Sequence, residues 1–374
     1  MKKVLILSLT PTPPVSSGSQ KCILEYCELL KRTGADVYFL YIEGKEKAHE
    51  QLKSYWGNRL FIYKRNQIFN IIKRGLIESR KKVTGYNLID DLYPIGLTNY
   101  VKSLQNKYSF DAIIINYVVL SKLFDSRLAA KQILYTHDCL SFKKLRLGMN
   151  QFWIDLMPNQ EAKGLQRCDM VLSIQENESK YFAYLHPKGD IKTVYSYFKA
   201  NPQPLTKNKN LLFLSGKSEL NLNGINYFIE DIFPLVIEKE PDTQLIIGGR
   251  ICEMLPRFDN PHIKAIGLVD KEESFYGMGD IAINPIYQGT GLKIKTFEAL
   301  SYGKVTIVHP HSAEGVYNIQ ECPILIGNTS ENFATHIINA LSDINLRQRC
   351  SDKAIEYIQS LDLFVEQQYN KILS

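Results

Sequence analysis

The sequence predicts an α/β protein of two doubly wound, Rossmann-like domains facing a central cleft, each a parallel sheet covered by helices. Three observations carry this. Short β-branched and aliphatic runs recur with helix-length segments between them. The runs are apolar at successive positions rather than alternating, as strands buried on both faces require. The series is broken once, at residues 197–210, by a polar stretch rich in lysine and proline. At 374 residues the chain is long for one core and suits two domains.

In the first half the runs are "VLILSL", "DVYFLYI", "FDAIIIN", "KQILYTHD", "DMVLSI" and "KTVYSY". The linker "YFKANPQPLTKNKN" follows, with little apolar content. A second series then runs "NLLFLSG", "TQLIIGG", "IKAIGLV", "DIAINP", "VTIVHP" and "ILIG", and residues 331–374 read as helical. The expected domains are 1–200 and 205–355, with 356–374 a closing helix that packs back on the first. In such sheets ligands bind beyond the carboxyl ends of the strands. The loops after strands, facing the cleft between domains, are therefore where function is expected.

Composition sets bounds. Lys plus Arg exceed Asp plus Glu by 45 to 39, a net +6 that suits an anionic substrate or acidic lipid surface and gives no support to nucleic acid as a partner. The seven cysteines are odd in number, scattered and without a C-x-x-C pair, which argues for a reducing compartment and against a disulfide framework or structural zinc. "MKKVLILSLTPTPP" has the basic start of a signal peptide but too short an apolar run, so it reads as a first buried strand. No stretch approaches the ~20 apolar residues that span a bilayer.

After the first strand, Ser16, Ser17, Gly18 and Ser19 lead into a helix with apolar Ile23, Leu24, Cys27 and Leu30. A small-residue turn opening a helix suits phosphate or acceptor binding near Gly18, and an ordinary loop explains it as well. The absence of G-x-G-x-x-G and of G-K-[ST] counts against a dinucleotide oxidoreductase and a P-loop enzyme. "LYTHDCLSFKKLR" ends a strand in His137 and Asp138. A histidine there can hydrogen-bond a substrate hydroxyl or orient a leaving group; a capping Asp beside a satisfied His is the alternative. Lys143, Lys144 and Arg146 behind them read as a solvated face. His309 and His311 lack a nearby third ligand, so no metal is expected. Between Tyr63 and Val83, seven basic residues surround Ile68, Phe69, Ile71, Ile72, Leu76 and Ile77. Such a helix either lies on anionic lipid or, the commoner arrangement, packs its apolar side on its own domain.

The second half is more specific. A strand ends at Gly216, and a loop with Lys217, Asn221 and Gly224 precedes a helix bearing Tyr227, Phe228, Ile232, Phe233 and Leu235. The next strand ends in Gly248, Gly249 and Arg250, where two glycines permit close backbone approach and an always-charged fork suits phosphate. In "PIYQGTGLKIKTFEALSYGKV", Lys293 and Lys295 stand near the start of a helix running toward Gly303. Lysine there opposes the helix dipole at a cost of about 0.3–1 kcal/mol. Either both ammonium groups extend into solvent, or an anion sits at the glycine-bracketed helix start.

Residues 212–316 resemble the donor domain of the retaining, nucleotide-sugar-dependent glycosyltransferases with the GT-B fold, a family that includes many bacterial polysaccharide enzymes. The resemblance rests on Gly216-Lys217, Asn221-Leu-Asn-Gly224, Gly248-Gly249-Arg250, Gly289-Thr290-Gly291, Lys295, Glu298-Ala299, Gly303 and Ala313-Glu314-Gly315, in that order. The first half resembles the family's acceptor domain more loosely, through "PPVSSGSQ", "THD" and "EAKGLQRCDMVLSIQENES".

The resemblance implies transfer of a sugar from a nucleotide diphosphate sugar to a saccharide or lipid-linked saccharide acceptor in surface-glycan synthesis, in the cytoplasm or at the inner face of the membrane. It implies no cofactor and no metal, since helix N–H groups with Lys or Arg stabilise a departing diphosphate. The donor-binding candidates are Gly18, Gly216, Lys217, Asn221, Gly249, Arg250, Gly289, Thr290, Gly291, Lys293, Lys295 and Glu298, the last for the ribose hydroxyls. The catalytic candidates are His137, Asp138, Lys217 and Thr290. One departure stands out: the family often has a second glutamate eight residues before the first, at the donor sugar, and Thr290 occupies that place. Two alternatives stay open, a non-catalytic glycan- or transferase-binding partner and a nucleotide-sugar epimerase on the same fold.

Overall fold

The computed structural model describes residues 1–15, 17–44, 48–65, 67–150 and 152–373, the side chains of 67–70 and 373 excepted. It divides into two compact units, Met1–Ser196 with Val365–Ser374, and Tyr197–Phe364.

The first unit holds a seven-stranded parallel sheet: β1 (Lys3–Ser8), β2 (Asp36–Ile42), β3 (Leu60–Tyr63), β4 (Ala112–Asn116), β5 (Lys131–Tyr135), β6 (Met170–Ser173) and β7 (Ile191–Thr193). The order is β3-β2-β1-β4-β5-β6-β7. Six of the seven carry the runs read from the sequence. β3 was not anticipated: it is a four-residue edge strand, partly exposed throughout, and too short to show a period. The apolar residues of β1 and β4 are fully buried, as a sheet covered on both faces demands. Leu5, Leu7, Ile113 and Ile115 enter one core with Leu97, Val101 and Phe124.

The second unit holds a six-stranded parallel sheet: β8 (Asn210–Leu214), β9 (Gln244–Gly248), β10 (Ile263–Gly267), β11 (Ile281–Asn284), β12 (Val305–Val308) and β13 (Leu325–Ile326), ordered β10-β9-β8-β11-β12-β13. The period of two decides which layer each side chain enters. Leu211 and Phe213 pack with Ile225, Phe228 and Phe333 on one face, while Leu212, Ile246 and Ala282 pack with Phe275 and Ala299 on the other.

The closing helix, Ile344–Leu373, supplies residues to both units. At its start Arg347, almost fully buried, pairs with buried Asp280 at 3.0 Å. At its end Tyr369 stacks on Tyr26, and Lys131 Nζ donates to the Ile372 carbonyl at 2.8 Å. Among the described residues no helix is long and apolar enough to cross a membrane.

Candidate functional site

In the second unit the strand order reverses between β8 and β11, so the loops after these strands diverge and leave a crevice at their carboxyl ends. The loop after β8 carries Gly216 and Lys217, and the loop after β11 carries Gly289, Thr290, Gly291 and Lys293. β9, beside β8, delivers Gly248, Gly249 and Arg250 to the same end, where Ser215 N donates to Gly248 O at 3.0 Å and Ile251 N to Ser215 O at 3.1 Å. Gly249 is required there: its φ is 93°, and a Cβ would stand 2.3 Å from the Ser215 carbonyl oxygen.

Asn221 and Gly224 lie on a helix, Glu219–Tyr227, and not in a loop as the sequence reading had them. The helix starts early because Ser218 caps it, its side chain accepting from Leu220 N. It also lies hard against the loop after β11, since a Cβ on Gly224 would meet Ile286 Cδ1 at 2.4 Å. Asn221 Nδ2 reaches back to Gly216 O at 2.9 Å, and its Oδ1 accepts from Lys295 Nζ at 2.7 Å.

The cations thus fall into two sets. Lys217 and Arg250, each about half exposed, converge on Glu253, at 3.0 and 3.3 Å. The hydrogen bond from Lys217, aided by Arg250, holds the Glu253 carboxyl below its ordinary range. Sequence reasoning missed Glu253, which stands three residues beyond Arg250 on the same short helical turn, Arg250–Glu253.

Lys293 and Lys295 form the second set, around the helix Ile294–Ser301. Lys293 is its N-cap residue, and its Nζ donates to Gly291 O at 3.4 Å. Lys295 does not extend into solvent. It is drawn back onto Asn221, with its Nζ 5.5 Å from the centre of the Phe213 ring. Burial pulls its pKa down to about 7, Glu298 opposing and Lys293 assisting the shift. Glu298, partly buried one turn along, is therefore near enough to act on Lys295. Thr290 is partly buried between Gly289 (φ 130°) and Gly291 (φ 69°), and His311 Nε2 lies 3.0 Å from Gly289 O. His309 Nδ1 accepts from His311 N at 3.1 Å, capping the short helix Pro310–Ala313, so of the two histidines His311 is the one that bonds the turn.

Beside β9 the structure adds a cavity of about 350 Å³ lined by Ile266, Leu268, Val269, Lys271, Phe275 and Met278. Gly249 N donates to Gly267 O at 2.7 Å, which ties its wall to the residue before Arg250. The sequence showed "IKAIGLV" only as a strand, because a cavity depends on what packs around it.

In the first unit the reversal lies between β1 and β4. Gly18 opens the helix Gly18–Arg32 after β1 and is exposed, with Ser17 as its cap; Ser16 lies outside the described residues. His137, after β5, is buried against Tyr135, ring centroids 4.1 Å apart, and its Nε2 is 2.6 Å from Asn116 Oδ1. Asn116 Nδ2 is spent on Leu7 O and Tyr26, so Oδ1 is the acceptor and Nε2 carries the hydrogen. Burial lowers the His137 pKa to about 3, so the ring is neutral near pH 7 and buried Nδ1 is left as a bare acceptor.

Asp138 pairs with Lys143, which is 1% exposed. Lys144 pairs with Asp155, and Arg146 donates to Cys139 O at 3.1 Å. The basic trio is therefore only in part a solvated face: Lys143 is buried, Lys144 partly buried and Arg146 exposed, and Lys143 and Arg146 pin the loop that follows His137. Buried Glu161 pins it too, accepting from Leu140 N at 2.8 Å and Ser141 N at 2.9 Å. Glu178, buried nearby, has its carboxyl raised above the ordinary range, by burial first and Asp138 second.

Comparison with known proteins follows the same division. Residues 208–343 match the family model described as Glycosyl transferases group 1. A Klebsiella pneumoniae protein described as "Uncharacterized 44.6 kDa protein in cps region" is 26% identical over 397 residues, covering 96% of each chain. Among solved structures, sucrose-phosphate synthase from Thermosynechococcus elongatus superposes with a TM-score of 0.69 at 15% identity, over 100% of this chain and 98% of that one. Anabaena Alr3699/HepE in complex with UDP and glucose superposes with a TM-score of 0.67 at 14% identity, over 100% and 99%. At these identities the likeness establishes the fold, which is GT-B.

Proposed function

Taking as premise that residues 208–343 form a glycosyl transferases group 1 domain within a GT-B glycosyltransferase, we propose that the chain moves a sugar from a nucleotide diphosphate sugar to a saccharide or lipid-linked saccharide acceptor. The reading extends to retention of anomeric configuration and to surface polysaccharide synthesis on the cytoplasmic side of a membrane. The cps-region relative supports the pathway, and UDP in the Anabaena neighbour supports the donor class.

One observation carries the reading: four cations surround the crevice between the ends of β8 and β11. Cleaving the bond between sugar and diphosphate leaves negative charge on the departing phosphate oxygen. Preorganised donors at that place stabilise the transition state more than the ground state. Lys217 and Arg250 are the first pair for this. Their bonds to Glu253 are half exposed and so contribute little, which lets an incoming diphosphate take them over at small cost. Lys293 and the turn at Gly289–Gly291 supply the second side.

Glu298 is the group for the ribose hydroxyls in this reading, and Thr290 meets the donor sugar. In the first unit, His137 Nδ1, buried and without a partner among the described residues, is the hydrogen-bond acceptor for a hydroxyl of the saccharide acceptor in this reading. Its low pKa makes it an orienting acceptor rather than a proton store. Asp138 acts through Lys143 on the same loop.

Isothermal titration of the protein with UDP, GDP and ADP tests the assignment, with Glu298→Ala as the control. Binding of one of them, weakened in the variant, supports it. Absence of binding to all three sinks it.

A further inference from the structure

The helix Gln67–Thr84 is built inside out. Its side toward the rest of the first unit is held by polar bonds: Lys73 Nζ donates to the carbonyls of Tyr93 (2.7 Å) and Asp90 (3.2 Å), and Arg80, two turns on, pairs with the buried carboxylate of Asp91. Of its five apolar residues with described side chains, four point outward and Ile77 is partly buried. Ile71 is 73% exposed, Ile72 59%, Leu76 70% and Val83 87%. Ile72, Leu76 and Val83, spaced four and seven apart, form one stripe. These four residues therefore do not follow the commoner arrangement, an apolar side packed on its own domain; the side chains of Ile68 and Phe69 lie outside the described residues.

Charge marks what covers this stripe. Residues 64–82 contain seven basic residues and one acidic, a net +6, which equals the formal net charge of all 374 residues. The rest of the protein sums to zero, so the whole excess sits on and beside the exposed apolar helix. Lys64, Arg74 and Lys82 are exposed. A second segment continues the surface: Lys144 Nζ donates to Gly85 O at 3.1 Å, and its neighbour Leu145 is 78% exposed. A protein partner would have to match a cationic apolar ridge, whereas an anionic bilayer offers acyl chains beneath a layer of negative headgroups.

We propose that the helix Gln67–Thr84 docks the protein on an anionic lipid surface, with Ile71, Ile72, Leu76 and Val83 entering the headgroup boundary and Arg74 and Lys82 against the lipid phosphates. This does not rest on the sugar-transfer reading, which nucleotide titration in free solution tests separately.

Co-sedimentation is the experiment, using vesicles of phosphatidylcholine alone and vesicles in which about one-third is phosphatidylglycerol. The protein sediments with the anionic vesicles and not with the neutral ones. Ile72→Asp with Leu76→Asp, and separately Arg74→Glu with Lys82→Glu, each weaken this by about tenfold or more while leaving the thermal melt unchanged. The charge variant alters only exposed positions, so it keeps the test open should the first variant misfold. No sedimentation with anionic vesicles, equal binding to both kinds, or binding indifferent to both variants overturns the proposal. So does an oligomer that the Asp variant dissociates without any loss of vesicle binding.

Discussion

Lys295 Nζ donates to Asn221 Oδ1 across 2.7 Å, joining the helix that follows β11 to the helix that follows β8. One hydrogen bond thereby links the two elements that flank the crevice at which the strand order reverses. It also explains a lysine in the first turn of a helix, where the peptide dipoles disfavour it. The ammonium is held by an amide oxygen, with Glu298 near enough to act on it.

That burial leaves Lys295 titrating at about 7, so part of the population is neutral near physiological pH. A bound diphosphate favours the charged form. Nucleotide diphosphate affinity is therefore expected to fall as pH rises past neutrality, by up to about tenfold per pH unit. Titration in two buffers of different ionisation enthalpy should show a proton taken up on binding. Constant affinity with no proton uptake would remove Lys295 from the diphosphate.

Glu253 occupies the cations that the donor needs. Glu253→Gln should tighten nucleotide diphosphate binding several-fold, more at low salt than at high, because the competing charge is gone while Lys217 and Arg250 remain. Weaker binding in this variant, measured by calorimetry, would mean that Glu253 positions the cations instead of competing for them.

His137 links stability to pH. Its folded pKa is about 3, against about 6.5 for a free histidine, so the unfolded chain takes up the proton first. Its contribution to stability is full above the unfolded value and is lost as pH falls from about 6.5 toward 3. Tm should drop on acidification, and less steeply in His137→Gln. In turnover, His137→Ala should lower kcat while nucleotide affinity holds; a variant with wild-type kcat would leave the residue structural.

Gly249→Ala places a methyl group 2.3 Å from a backbone oxygen at φ 93°. The second unit should lose about 3 kcal/mol or more of stability. Denaturant unfolding measures this, and a loss below about 1 kcal/mol would show that the strand end shifts freely.

Legibility followed the physics of each feature. Buried strands were plain because a parallel sheet covered on both faces leaves uninterrupted apolar runs, as in β4 and β11. β3 escaped because four half-exposed residues carry no such signal. Gly249 and the Gly289–Gly291 turn were visible because backbone geometry there tolerates few residue types. Glu253 and Asn116 were not, because a carboxylate or amide has no fixed spacing from what it pairs with.

By itself the sequence determined the two-sheet architecture and the chemistry available at strand ends, since local burial pattern and glycine demand are written residue by residue. Only the tertiary structure decided the partners: Glu253 between Lys217 and Arg250, Lys295 on Asn221, Asn116 setting the tautomer of His137. It also decided that the basic helix turns Ile71, Ile72, Leu76 and Val83 outward. Period and composition fix that a helix has two faces, but which face is buried depends on the free energy of packing against a particular surface, and here Asp90, Asp91 and Tyr93 offer that surface carbonyl and carboxylate oxygens.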